Sequence, residues 1–282
     1  MITDAKTDFV YFSGLIEEKY PDCWKRIKSI LDKHKIDYKT LDGTRDIWCR
    51  DYMPVQTDVN RFVQFRYDAA YLHQEPEKHT RPFEVLQANQ IEAELSDIIL
   101  DGGNVIRGSD KVIMTNRIFK DNPDIEKNEL IKRLEEQLQA EVLIIPAISS
   151  DETGHADGHV WFIDSKTLLV NELKYEYLYW QDGFRRMIRE SGLKYVEMPW
   201  FDKKYKGEPL SAIGIYVNYL EVGNLILFPV FEIPGNKDQV ALDVIKKVFP
   251  DKIIEPVEIN EIGLKGGLMN CISWNIKKSK QS

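Results

Sequence analysis

Apolar residues recur along this chain at two periods, and the alternation between them outlines an architecture. Five segments carry the spacing of a helix with one buried face. Around residues 14–34, Trp24, Ile27, Ile30 and Leu31 share a face, and around 124–140 so do Leu130, Ile131, Leu134 and Leu138. Around 237–250 the face is Val240, Val244, Ile245 and Val248, and weaker patterns near 82–95 and 175–192 predict two further helices. Short apolar runs follow most of these and predict strands: Val142–Pro146, Tyr195–Pro199 and Lys252–Pro256. Paired apolar runs flanking small or polar turns predict hairpins centred near Thr57–Asn60, Gly108–Asp110, Asp164–Lys166 and Glu221–Asn224.

Each predicted hairpin is preceded by a polar residue, in turn Asp51, Asn104, Asp157 and Asn218, and Cys271 fills the equivalent place near the C-terminus. The intervals are 53, 53, 61 and 53 residues. Five units of about 55 residues therefore account for the chain, and a period of that size signals stacked or radially repeated units. An eight-unit barrel would need about 35 residues per unit, which fits poorly. A doubly wound sheet alternates one strand with one helix, whereas here each helix is matched by about three strands. The pattern predicts a five-bladed α/β propeller whose corresponding polar residues converge on one axis. No Pro/Gly/Ser linker or abrupt shift in composition divides the chain, so residues 1–282 are expected to form one domain.

Composition narrows the function mostly by exclusion. The 38 basic residues are outnumbered by 46 acidic ones, for a net charge of −8, which argues against nucleic acid as a partner. It is compatible with a cationic substrate. The longest uncharged stretch, Pro209–Leu220, is too short for a membrane-spanning helix, which needs about 20 residues. The first residues lack the basic-then-apolar layout of a signal peptide, and Cys23, Cys49 and Cys271 are too scattered for a disulfide framework. A cytoplasmic protein with reduced thiols is expected. A homo-oligomer is compatible with the sequence, which does not set the oligomeric state.

Four islands hold the candidate chemistry: Asp46–Pro54, Asp101-Gly-Gly-Asn104, Gly154–His159 and Gly266–Cys271. If His155-x-Asp157-x-His159 lay on a strand, the three side chains would share one face. His155, His159 and Cys271 could then form a zinc site, but no paired-cysteine or two-turn helical ligand spacing supports it. No metal or cofactor is expected. A Cys/His nucleophilic site fits better, because an adjacent imidazolium activates a thiol that is already a good nucleophile. His155 would then move protons, with a carboxylate such as Asp101 orienting it. Asp51 and Asp157 would remain facing the pocket. Two fixed negative charges beside an electrophile suit a cation, above all a planar guanidinium that pairs with carboxylates bidentately. Taken singly, a strand cysteine is more often a small buried apolar residue, Asp-Gly-Gly a turn and Trp48 a core residue. Their agreement in repeat phase reverses those readings.

Asp46-x-Trp48-x-Arg50-Asp51-x-x-Pro54 resembles the entry motif of the agmatine deiminases and bacterial-type peptidyl-arginine deiminases. Asp101-Gly-Gly resembles their acidic-Gly-Gly motif, Gly154-His155-x-Asp157 their His-x-Asp motif, and Gly266-Gly-x-x-x-Cys271 their cysteine motif. Tyr216-Val-Asn218-Tyr and Leu225–Pro229 look like the penultimate blade of that family. The resemblance runs in order from about residue 44 to 275. It implies the pentein fold, a five-bladed propeller of ββαβ units, and a deiminase that hydrolyses the guanidino group of agmatine, arginine or a related guanidine. Cys271 is implied as nucleophile and His155 as general acid and base, with Asp101 supporting it. Asp51 and Asp157 are implied to grip the guanidinium, Trp48 to line the pocket and Asn218 to contribute a polar contact. The chain departs from the family at Asn270, where His usually stands, and at Asp101, where Glu is common. An amidinotransferase on the same fold and a non-catalytic pentein that binds a ligand or partner are the alternatives.

Overall fold

The computed structural model describes residues 1–69, 72–201 and 211–279. The described chain opens with β1 (Phe9–Ser13), α1 (Ile16–Lys19), α2 (Pro21–Lys33) and β2 (Asp37–Leu41). A short helix, α3 (Cys49–Tyr52), leads into β3 (Val55–Asp58), β4 (Arg61–Arg66), α4 (Pro82–Ala88) and β5 (Glu94–Ile99). Next come β6 (Ile106–Arg107), β7 (Lys111–Thr115), α5 (Arg117–Asp121), α6 (Lys127–Leu138) and β8 (Glu141–Ile145). Then follow β9 (Val160–Phe162), β10 (Thr167–Asn171), α7 (Leu178–Ser191) and β11 (Lys194–Met198). The last full unit is β12 (Leu220–Val222), β13 (Leu225–Val230), α8 (Asp238–Val248) and β14 (Ile253–Glu258), and the chain ends through α9 (Asn260–Gly263) and β15 (Ser273–Ile276).

Among the described residues these strands form five three-stranded sheets. In four of them, a hairpin is followed by helix and then by a third strand parallel to the second, as in β12–β13 antiparallel and β13–β14 parallel. The fifth sheet is assembled from both ends of the chain: β15 pairs antiparallel with β1, Phe9 opposite Ile276, and β1 pairs parallel with β2. This is the five-bladed α/β propeller that the 53-residue spacing predicts. All residues of β9, β12 and β13 are buried, whereas the outer strands β2, β5 and β11 are largely exposed. The hairpins therefore make the centre and the third strands the rim.

The helical patterns resolve with informative differences. The 14–34 pattern is two helices, because Pro21 occupies the first turn of α2 and Tyr20 before it is pushed out of helical geometry. α2 buries Cys23, Trp24, Ile27 and Leu31, as its apolar face predicts. Within the 124–140 pattern, α6 starts where Glu126 accepts hydrogen bonds from the backbone of Asn128 and Glu129, and ends at Gln139 in left-handed geometry. The 82–95 pattern overshoots. Its helix ends at Ala88, and Glu94 already begins a strand.

A buried polar cluster ties the blades together behind the site. Arg107 on β6 pairs with Asp4 and donates to Asn275 Oδ1 at 2.7 Å, and Arg50 on α3 donates to the same oxygen at 2.8 Å. Asn275 on β15 donates in turn to Asp4 Oδ1 at 2.8 Å and to the Glu221 carbonyl at 2.6 Å. Every charge here has a buried partner, which is the condition for burying it at all.

Candidate active site

Four of the five repeat-phase residues meet around one thiol. Cys271 precedes β15 and is half-buried, and its Sγ lies 3.4 Å from Oδ2 of Asp157, which sits in the turn before β9. Asn218, just before β12, donates its amide to Cys271 Sγ at 3.2 Å and to the Asp157 carbonyl at 3.3 Å. Its Oδ1 accepts the Asn270 backbone N–H at 3.0 Å. The Asn270 side-chain amide donates to Asp157 Oδ2 at 2.8 Å. The thiol, the carboxylate and two amides thus form one connected unit drawn from three blades.

Across it stands a second unit. His155 Nε2 lies 3.0 Å from Asp101 Oδ2, and its Nδ1 lies 3.5 Å from Asp51 Oδ1. Asp51 is on α3 and is held by the Gly103 N–H, which donates to Oδ1 at 3.1 Å. The backbone N–H of Asp157 donates to the Gly103 carbonyl at 3.1 Å, so one residue spaces both carboxylates. A Cβ at Gly103 would stand 2.5 Å from His155 Nδ1 and 2.6 Å from Asp51 Oδ1, far inside contact. The Asp101-Gly-Gly motif has this physical basis. A Cβ at Gly267 would likewise stand 2.3 Å from the Trp48 ring, so the second glycine of Gly266-Gly lets the half-buried Trp48 pack against the cysteine loop.

The electrostatics follow from burial and crowding. Burial alone would pull the His155 imidazole down, but Asp51 and Asp101 outweigh it and hold the ring up at about 10. Burial raises the Asp51 carboxyl to about 8, with Asp101 and Asp157 adding and the imidazolium opposing. Burial pushes the Cys271 thiol well above its ordinary value, and the Asp157 and Asp51 charges push it further. The Leu268 backbone and the Asn218 amide offset part of this by hydrogen bonding. At neutral pH the imidazole is charged and the thiol keeps its proton.

Two expectations are corrected. Residues 154–159 form a bend and turn before β9, not a strand, so His155, Asp157 and His159 do not share a face. His159 turns away to Glu176, 3.2 Å from its Nδ1, and packs on Trp180 with ring centres 5.3 Å apart. No cluster of three acidic, histidine or cysteine side chains suited to a metal occurs among the described residues. Asn104 shares the repeat phase but does not join the site: its Oδ1 accepts the Thr115 N–H at 2.8 Å. Asp101, three residues earlier, faces His155 instead. Sequence reasoning gave Asn270 no contact in the site, although its place beside the cysteine and its mismatch to the family were visible.

Comparison with known proteins identifies the family. Residues 16–276 match the model of the Porphyromonas-type peptidyl-arginine deiminases. A protein of Latilactobacillus sakei, provisionally named agmatine deiminase, is 27% identical over 215 residues, covering 64% of this chain and 58% of that protein. The chain thus matches less than two thirds of such a relative's length. The agmatine deiminase of C. jejuni superposes with a TM-score of 0.80 over 98% of this chain and 95% of that one, at 16% identity. Its cysteine-to-serine variant with substrate bound superposes at 0.78 over 98% and 96%, also at 16% identity. With the order of motifs, the closed ring of five ββαβ units and a family match over nearly its whole length, the chain belongs to the Porphyromonas-type peptidyl-arginine deiminase family.

Proposed function

We propose that this protein is a metal-independent hydrolase of a guanidino compound, with an agmatine-like cation as substrate. The observation that carries the reading is the convergence of two buried carboxylates, Asp51 and Asp157, on the thiol of Cys271 and the charged ring of His155. Burial disfavours charge on Asp51, a bound cation restores it, and a guanidinium offers N–H donors on both edges to the two carboxylates. The names of the relatives support the same chemistry: agmatine deiminase in the curated match and in the solved C. jejuni structures.

The resting thiol is protonated, and the arriving guanidinium offsets the charges of Asp157 and Asp51 that disfavour thiolate. Cys271 then gives its proton to solvent, and its thiolate adds to the guanidinium carbon. The His155 imidazolium gives its proton to one amino group, which leaves as ammonia, and a cationic thiouronium remains on Sγ. Neutral His155 next takes a proton from water, whose oxygen adds to the same carbon. Collapse expels sulfur, which takes up the hydroxyl proton to restore the thiol, and releases the ureido product. Asp101 keeps the ring oriented through both proton transfers, and Trp48 lines the pocket beside the cysteine loop. Asn218 has its amide committed to Sγ, which suits a role in holding the nucleophile.

The test is purified protein incubated with agmatine, free arginine and a peptidyl arginine, with ammonia and ureido product measured together. Equal amounts of both from one of these support the reading. Amidino transfer to an added amine without ammonia, or no turnover of any guanidine, would overturn it.

A further inference from the structure

Asn270 is 3% exposed, and its side-chain amide and backbone N–H both bear on the site. Its Nδ2 donates to Asp157 Oδ2 at 2.8 Å, and its N–H reaches Asn218 Oδ1 at 3.0 Å. Its carbonyl accepts from Arg50 Nε at 3.4 Å and from the Ser273 hydroxyl at 3.2 Å. The oxygen it loads on Asp157 is the one that the Cys271 thiol approaches at 3.4 Å. A carboxylate oxygen that already accepts a short amide hydrogen bond is a poorer acceptor for a second proton. The other oxygen, Oδ1, accepts no hydrogen bond among the described residues.

We propose that Asn270 is a positioning residue: its amide occupies Oδ2 of Asp157, so the carboxylate turns Oδ1 to the cationic substrate and does not become the resting place of the Cys271 proton. The choice of side chain matters, since a neutral amide donates without titrating. The charged groups around the thiol are Asp157, Asp51, Asp101, the His155 imidazolium and Arg50 behind the loop. Asn270 adds no further ionisation to that set. This inference deepens the proposed function, but its central claim concerns the thiol alone and is testable without any substrate.

The experiment is the pH dependence of Cys271 alkylation by neutral iodoacetamide, with the label located by mass spectrometry and folding checked by thermal melting. Asn270→Asp is isosteric, loses the donor and sets a second carboxyl against Asp157. Its alkylation midpoint should move upward by about one pH unit, giving roughly tenfold slower labelling near neutral pH. Asn270→His restores an N–H donor, and its midpoint should stay at or below that of the unaltered protein. An unchanged midpoint in folded Asn270→Asp would overturn the proposal. So would an equal upward shift in Asn270→His, because any disturbance of a buried position would then suffice. Loss of turnover of all guanidines by the unaltered protein would refute the hydrolase reading and leave these outcomes interpretable.

Discussion

The thiol of Cys271 donates to Oδ2 of Asp157 across 3.4 Å, so it rests against the charge that most opposes its ionisation after burial itself. Reactivity and catalysis should therefore separate when that charge is removed. In Asp157→Asn the thiol becomes more acidic, and alkylation of Cys271 by iodoacetamide near neutral pH should accelerate by about tenfold or more. Turnover of a guanidine should fall at the same time, because half of the proposed clamp on the cation is gone. Slower or unchanged alkylation in that variant would contradict the electrostatic account of the site.

The clamp itself makes a quantitative demand. Removing one partner of a desolvated charge pair costs about 2–5 kcal/mol, or roughly 30- to 5,000-fold in kcat/KM. Asp51→Asn and Asp157→Asn are nearly isosteric, and each should lose efficiency in that range toward whichever guanidine is turned over. Asp58, the last residue of β3, is exposed and its Oδ1 accepts the neighbouring Val59 N–H at 2.7 Å. Asp58→Asn should therefore leave kinetics unchanged. Near-normal efficiency in both clamp variants would remove the reason for assigning a guanidinium.

Much of this was legible from spacing because a propeller repeats its chemistry once per blade. Asp51, Asp157, Asn218 and Cys271 lie at one phase of the repeat and do meet. Phase failed where the local backbone departs from the repeat. The blade that carries Asn104 makes a 3-10 turn at Gly102–Asn104, which rotates Asn104 into a backbone contact and leaves Asp101 to face His155. Likewise, period-two reasoning on His155-x-Asp157-x-His159 assumed a strand where the chain bends, and a bend sends alternate side chains in different directions. The role of Asn270 was out of reach, since nothing in a sequence shows which oxygen of a carboxylate an adjacent amide will occupy.

Site charges also tie stability to pH. His155 in the folded protein holds its proton up to about 10, above the ordinary 6.5 of the unfolded chain. Its contribution is therefore full below about pH 6.5 and is lost as pH rises through about 10. Asp51 keeps its proton up to about 8 when folded, against 3.8 when unfolded. The folded state thus binds more protons than the unfolded one between those values, and stability falls as pH rises through that window too. Asp51→Asn removes the carboxyl whose burial resists ionisation, and with it that proton uptake on folding. Melting temperatures between pH 5 and 9 should then decline less steeply in the variant than in the unaltered protein. Parallel declines would show that Asp51 does not govern the slope.

A tight geometric constraint between His155 and Asp51 concerns a residue with no side chain. Gly103 donates to Asp51 Oδ1, accepts from the Asp157 N–H and passes beneath the His155 ring, where a Cβ would stand 2.5 Å from Nδ1. Gly103→Ala must displace either His155 or Asp51, since the backbone is held from both sides. Overpacking of this kind costs about 1–3 kcal/mol of stability, which a propeller of this size should survive. The catalytic cost should be larger in proportion, because displacements near 1 Å at reacting groups reduce rates by about a hundredfold. Gly158 is the matched control. It lies in the same turn as Asp157, its φ is not positive, and a Cβ there would meet nothing within 4 Å. Gly158→Ala should keep both melting temperature and kcat, while Gly103→Ala should stay folded and lose about two orders of magnitude in kcat. If the two alanine variants behave alike, the glycine of the Asp101-Gly-Gly motif serves the turn and not the spacing of His155 from Asp51.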